Sequence, residues 1–457
     1  MLVDRLFRYI NTLKWHSIYF LSPHVYTIGN VAHEMYYATI KAQRENRKLV
    51  LLFVFDLPFL TRYRYANRAL FQLQSDYIVK LPRYAEWLSE IMLTVIYLPS
   101  RLVVLLLRKW LGIRLPESYS YPRIGTNEIC VPPHVENEFI WKAVRKLNWS
   151  HYYRQERPVW LSRNEMMHCG ELLSQMGPST SEWFVCLHVR ESGYREDTGR
   201  REHRNSDVYN YIPAIEFITN QGGWVIRTGD SSMKPLPEMS RVVDYPFSRF
   251  RSEMMDIYLV LQCRFYIATQ TGTYDVARMA KKKILLTNMV TWLSGWPCHA
   301  YERGIFKHVY SNLDNRFLSI SELLGGESEH REFALTGING TADETLFPDS
   351  QSYSYRENSP DEIKDAVAEY YDMVDSDKWV KTDIQKKADA LRFKQARELL
   401  KNGGVALQDR ITAGFASTDE EEIIERYLVA AHAHYLGTLC HGFLKKNWIQ
   451  DSLNKPY

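Results

Sequence analysis

Phe184-Val185-Cys186-Leu187-His188-Val189-Arg190 is an apolar run that ends in a histidine and an arginine. A charge-rich loop, Glu191 to Arg204, follows it, and then a helical pattern from about Asp207 to Asn220. The unit closes with Gly222-Gly223-Trp224-Val225-Ile226-Arg227-Thr228-Gly229-Asp230, a second strand-like run ending in Gly and Asp. A strand that is apolar on both of its faces reads as one buried in a parallel sheet. In such sheets ligands bind beyond the carboxyl ends of the strands. Here those ends carry His188, Arg190 and Asp230. These types suit a phosphorylated, ribose-bearing ligand, because the Arg fork of donors matches phosphate oxygens. The same residues also read as solvated charge on a surface loop.

Working outward, the alternation continues. A short strand is expected around Val242 and Val243, a loop over Tyr245 to Ser252, a helix over Glu253 to Gln262 and a strand over Arg264 to Thr269. Gln270-Thr271-Gly272-Thr273 then opens a helix, Tyr274 to Ala280, before a strand at Ile284 to Leu286. This order predicts an α/β fold with a doubly wound, Rossmann-like sheet. Upstream, a strand-like run at Ser17 to Leu21 leads through a loop ending in Gly29-Asn30 to a helix, Val31 to Arg47, and the apolar run Lys48 to Phe55. Asn30 and His33 are thereby placed at a helix N-terminus, where backbone donors favour an anion. Arg62 to about Trp149 reads as mostly helical, with a loop over Leu115 to Pro133. Arg157 to Trp183 reads as a connector with one helix. Beyond Gly325 the chain is polar until Ser359-Pro360-Asp361-Glu362, a strong helix start for a segment reaching about Val374. Further helices are expected over Asp383 to Lys401 and Asp419 to Lys445.

The chain has 457 residues, 45% hydrophobic and 24% charged, which argues against disorder and for two domains plus a tail. A net charge of +3 gives no ground for a nucleic-acid partner. Six scattered Cys without a CxxC pair point to a reduced compartment, with Cys186 and Cys263 as core residues. The sequons at Asn148 and Asn339 are discounted as chance matches. No signal-peptide pattern opens the sequence, so a cytoplasmic protein is expected. Ile91 to Leu107 is apolar but interrupted by Pro99 and Arg101 and followed by Arg108, Lys109 and Trp110. It is too short and broken to span a bilayer. Two readings stay open: a peripheral contact with the inner face of a membrane through residues 91–110, or a buried helix pair.

Three loops carry the candidate chemistry: His188-x-Arg190 with the acids Glu191, Glu196 and Asp197; Gly229-Asp230; and Thr269-Gln270-Thr271-Gly272-Thr273. Hydroxyls and backbone N–H groups at a helix start suit a diphosphate, though N-capping alone accounts for a lone Thr-Gly-Thr. Together the three loops resemble the three-motif signature of the fucosyltransferase superfamily, which includes the protein O-fucosyltransferases and the α1,6-fucosyltransferases. A closer resemblance is to uncharacterised bacterial glycosyltransferases with His-Val-Arg-Glu-x-Gly-Tyr, then Arg-Asn, then a Gly-Asp strand end. Those residues are His188 to Tyr194, Arg204-Asn205 and Gly229-Asp230 here. The resemblance covers about 180 to 290 and, more weakly, Gly29-Asn30.

The resemblance implies a GT-B fold, two Rossmann-like domains facing across a cleft. Residues 1–155 would form the acceptor-side domain, 156–350 the nucleotide-sugar-binding domain, and 351–457 a helical extension packing on the body. It implies an inverting, metal-independent glycosyltransferase that moves a sugar from a nucleotide-sugar donor to a surface-glycan or lipid-linked saccharide. The fucosyl relatives tilt the donor toward a GDP-sugar. Arg190 would hold the donor diphosphate, His188 and Asp230 the nucleoside, and Thr271 to Thr273 the phosphates, with Thr269, Arg204, Asn205, Gly29 and Asn30 among the binding residues. An acid after the His-x-Arg strand would act as base: Asp197 first, then Glu196, Glu191 and Glu34. Glu191 stands where the eukaryotic pattern has a second Arg, which leaves donor sugar and base open. The alternatives are a GT-B-shaped nucleotide-sugar epimerase and a noncatalytic binding protein on the same fold. No cofactor is expected. Asp375-Ser376-Asp377 reads as a helix end rather than a metal motif, and His432, His434 and His441 read as positions on a packed helix. Arg249, Arg251 and Asp256 read equally as cleft-lining or capping residues, and Lys378 to Lys401 as a solvated helix face.

Overall fold

The computed structural model describes residues 18–23, 25, 27–53, 65–112, 159–193, 202–290, 296–325, 353–376, 379–402 and 436–448. They fall into two compact units, Met1–Pro132 with Glu156–Arg163, and Pro133–Gln155 with Asn164–Tyr457.

The first unit is built on three parallel strands, β1 (Ile18–Leu21), β2 (Lys48–Leu51) and β3 (Ile78–Val79), in the order β1-β2-β3. The crossover from β1 to β2 is α1 (Ile28–Arg44), whose Val31, Ala32, Met35 and Ala38 are fully buried. The helix begins earlier than the sequence suggests, because the Val31 N–H already bonds to the Thr27 carbonyl at 3.1 Å. Gly29 and Asn30 therefore sit in its first turn and not in a preceding loop. Downstream, α2 (Arg83–Leu111) runs 29 residues straight through Pro99 and stops at Gly112, whose φ of 66° is the left-handed conformation a helix end favours. Residues 91–107 are thus one stretch of one helix, which overturns the helix-pair reading. Among the described residues no helix is long and apolar enough to cross a membrane.

The second unit opens with α3 (Arg163–Met176) and then winds a sheet. Its strands and helices follow in chain order: β4 (Phe184–His188), α4 (Ile212–Asn220), β5 (Trp224–Arg227), β6 (Val242–Asp244), α5 (Glu253–Gln262), β7 (Tyr266–Ala268), α6 (Thr273–Met279), β8 (Ile284–Met289) and β9 (Arg303–Phe306). Seven strands pair in the order β13-β9-β8-β7-β4-β5-β6, with β13 being Thr438–Leu439, and every pairing is parallel. The chain therefore builds outward from β4 to β6, returns to the other side of β4 at β7, and builds outward again. That is the Rossmann winding order, with its switch point between β4 and β7. Every residue of β4, β7, β8 and β9 is buried, as expected of strands covered on both faces.

A second, antiparallel sheet pairs β10 (His308–Ser311) with β11 (Arg316–Phe317) and with β12 (Tyr353–Arg356). Between β11 and β12 lies α7 (Ile320–Gly325). Then α8 (Pro360–Val374) starts at a capping box in which Ser359 and Glu362 bond each other's backbone, as the Ser-Pro-Asp-Glu start predicts. It is followed by α9 (Asp383–Asn402) and, after β13, by α10 (His441–Asn447). The segment read as one helix over Asp419 to Lys445 is therefore, where described, a strand and a separate helix, and residues 351–457 contribute strands to both sheets. The loop read over Leu115 to Pro133, His432 and His434, Asp377, Cys130 and both sequons lie outside the described residues.

Candidate functional site at the sheet switch point

The loop after β4 and the loop after β7 are the two that flank the switch point, and hydrogen bonds lock them together. The Thr269 N–H donates to the His188 carbonyl at 3.1 Å, and the Arg190 N–H donates to Thr269 Oγ1 at 2.9 Å. From the other side, the Ser206 N–H donates to the Arg190 carbonyl at 2.9 Å. Arg190 Nε donates to Asn205 Oδ1 at 3.2 Å, which fixes the direction of the guanidinium. Arg204 Nη2 reaches the Gln270 carbonyl at 2.6 Å, and Lys307 Nζ donates to the Asn205 carbonyl. Asn205 is thus the hub of a cationic group, Arg190, Arg204 and Lys307, drawn from three separate parts of the chain.

Lys307, the first residue past β9, is buried, and that burial lowers its pKa against the opposing pull of Glu357. From the sequence no strand is expected over Arg303–Phe306, so Lys307 is not among the expected site residues. The apolar run Gly304-Ile305-Phe306 ending in Lys307-His308 is the signal that would have. Five of the site residues expected from the sequence, His188, Arg190, Arg204, Asn205 and Thr269, come together here directly.

His188 closes β4 and is buried, with Nδ1 3.3 Å from Thr228 Oγ1. Burial first, and the neighbouring Arg227 cation second, pull its pKa down to about 4, so the imidazole is neutral near pH 7. Arg227 ends β5 with its side chain fully buried between two carboxylates, Glu191 Oε1 and Asp244 Oδ1, each at 2.9 Å. Glu191 Oε2 also accepts the Lys234 N–H at 2.7 Å. Both Glu191 oxygens therefore hold structure, and a buried charge that loses its partner is costly.

The Gly229-Asp230 loop is joined to the loop after β4 by close approach. A Cβ on Gly193 would lie 2.6 Å from Ser232 Cβ and 2.8 Å from its carbonyl oxygen, so only glycine lets the loops after β4 and β5 meet. Asp230 accepts both the N–H and the hydroxyl of Ser232. Gly229, at φ 151°, packs against Met233, which a side chain there would displace. Beyond β7, Gln270 Oε1 accepts the Val290 N–H at 2.7 Å, and the Thr271 and Thr273 hydroxyls lie 2.8 Å apart with Tyr266 OH donating to Thr273 at 3.0 Å. The helix that begins there has seven residues, so its dipole is small and the loop's hydroxyls and amides are its main polar resource.

Other residues singled out in the sequence lie elsewhere. Asp375 caps α8 and pairs with Arg264, a role that fits a helix end. Asp256, mostly buried beside Tyr245, has its pKa raised to about 6 by burial. Arg249 lies over the Phe250 ring. Cys186 and Cys263 are buried core residues. Gly29, Asn30 and Glu34 belong to the first unit. Glu196 and Asp197 lie outside the described residues. Among the described residues no group of three or more His, Cys, Asp or Glu side chains is arranged to hold a metal. Compared with family models, curated proteins and solved structures, the chain matches none.

Proposed function

We propose that the chain is an inverting glycosyltransferase that uses a nucleotide sugar and no metal. The observation that carries this reading is the convergence of Arg190, Asn205, Arg204, Lys307 and the Thr269–Thr273 loop at the switch point of a Rossmann-ordered sheet. That is where nucleotides bind in such folds. On this reading the protein is GT-B, the second unit takes the donor, and the acceptor side falls to the first.

Arg190 would lie against the diphosphate and neutralise the charge that grows on the β-phosphate oxygen as its bond to the sugar C1 breaks. Lys307 would add a second positive charge, and the neutral His188 with Asp230 would contact the nucleoside. Asp197, or Glu196 next to it, would take the proton from the acceptor hydroxyl while its oxygen bonds to C1 from the opposite face. Because both Glu191 oxygens already hold partners, Glu191 ranks below them as base. The tilt toward a GDP-sugar, and a surface-glycan or lipid-linked acceptor, rest on the resemblance.

A thermal-shift screen of nucleoside diphosphates and nucleotide sugars against the wild type and Arg190→Ala tests the reading. A ligand at ~100 times its dissociation constant stabilises a fold by about 2.7 kcal/mol. One nucleoside diphosphate is expected to raise the melting temperature of the wild type and not of the variant. No shift with any nucleotide would sink the donor-site assignment. Product analysis with the stabilising sugar nucleotide then separates transfer from epimerisation and from binding alone.

A further inference from the structure

We infer that α2 is a membrane-docking helix that lies flat on an anionic bilayer surface. Eight of the fourteen exposed large apolar side chains among the described residues belong to this one helix, so apolar exposure is concentrated there. Trp87, Met92, Val95, Leu102, Leu106 and Trp110 are all exposed, Trp110 to 76%. At 100° per residue these six fall within an arc of ~140° that also takes in Lys109, while Val103 falls just beyond its edge and Leu111 on the opposite side. Ala85, Leu93 and Thr94 are buried, so the first half of the helix is anchored in its own unit through a different side. Beyond Pro99 Leu102, Val103, Leu106, Lys109, Trp110 and Leu111 are all exposed, and the helix covers ~43 Å at 1.5 Å per residue.

Charge selects the occupant. From Ile91 to Leu111 the sequence holds Arg101, Arg108 and Lys109 and no acidic residue. The acids Glu86 and Glu90 lie in the first two turns beside Trp87, and the cation-bearing, acid-free remainder with Trp110 matches anionic headgroups over an acyl boundary, where indole rings settle and basic side chains stay hydrated. Among the described residues no helix is long and apolar enough to cross a bilayer. This placement is independent of what the second unit binds.

The test is co-sedimentation of the full chain with sucrose-loaded vesicles of phosphatidylcholine alone or with 30% phosphatidylserine. It compares the wild type, Leu102→Glu/Leu106→Glu and Lys109→Gln, with sedimentation velocity run in parallel without lipid. The wild type is expected to pellet with the serine-containing vesicles and to release as salt rises. The double substitution is expected to lower the partition constant at least tenfold, and Lys109→Gln about fivefold, as for loss of one cation near the surface. The substituted side chains are exposed, so unchanged far-UV circular dichroism is expected, and Lys109→Gln carries the test if the double variant misfolds. Equal binding to both vesicle types, or binding that neither variant weakens, overturns the proposal. So does absence of vesicle binding together with a dimer that the double substitution dissociates, which would assign the face to a second copy of the chain.

Discussion

The two sides of the seven-stranded sheet treat buried arginine differently. Toward the far edge, Arg278 is clamped by Glu302, with Nε 3.1 Å from Oε1 and Nη2 3.0 Å from Oε2, and both groups are buried. Glu302 Oε2 also accepts the Cys298 N–H at 2.7 Å. At the switch point, Arg190 is half-buried and aimed through Nε by a neutral amide, Asn205, whose own carbonyl is held by Lys307. One arrangement pairs opposite charges and so stabilises the sheet once the charges are buried. The other brings two cations, Arg190 and Lys307, to the side chain and the backbone carbonyl of one amide residue. The difference predicts that substitutions at the edge change stability, while those at the switch point change ligand response.

The largest effect is expected at the edge. Among the described residues Glu302→Ala leaves Arg278 buried with the more distant carboxylate of Asp275 at 3.5 Å and the Tyr274 ring, and breaking a buried pair this way costs ~3–5 kcal/mol. Urea denaturation at pH 7 checks it. A loss below ~1 kcal/mol would mean that the two ends of the sheet do not differ in this way.

The next effect is pH dependence at His188. Its pKa is about 4 in the fold against 6.5 as the ordinary value, so the unfolded chain takes up the proton first. Stability contributed by the neutral imidazole is therefore full above pH 6.5, is lost as pH falls through the window down to about 4, and stays constant below. The window corresponds to a difference on the order of 3 kcal/mol. Comparing wild type with His188→Gln across pH 4 to 7.5 isolates this slope from that of other buried groups. Parallel curves would show that His188 is not held neutral.

The smallest effect on stability, and the sharpest on function, is expected at the hub. Asn205→Ala removes one side-chain acceptor and costs about 1 kcal/mol of folding stability. It should nonetheless abolish most of the thermal shift given by the nucleotide that stabilises the wild type, because Arg190 loses its aim. A variant that keeps the full shift would break the contrast between the two ends.

Much of the second unit was readable because its signals are local. The apolar run 184–188, the Ser252 cap before the 253–262 helix and the Ser359–Glu362 capping box each specify an element from a few neighbouring residues. The misreadings have physical causes as well. Gly29-Asn30 looked like a turn, yet burial of Val31, Ala32 and Met35 against the sheet outweighs weak helix propensity and starts the helix at Ile28. Thr438–Leu439 is too short to announce itself, and is a strand only because Arg303–Gly304 pairs with it across more than a hundred residues.

The sequence by itself determined the α/β alternation, the helix starts at Glu253 and Pro360, and the presence of His188, Arg190 and the Thr269–Thr273 loop at strand ends, since propensity and periodicity act over a few residues. Only the tertiary structure decided that β4 and β7 are neighbours, that Glu191 is tied to Arg227, and that Asn205 gathers Arg190 and Lys307. Those outcomes depend on pairing and burial between residues far apart in the chain. No local pattern encodes them, because the free energy that selects them arises only when the whole sheet closes around its core.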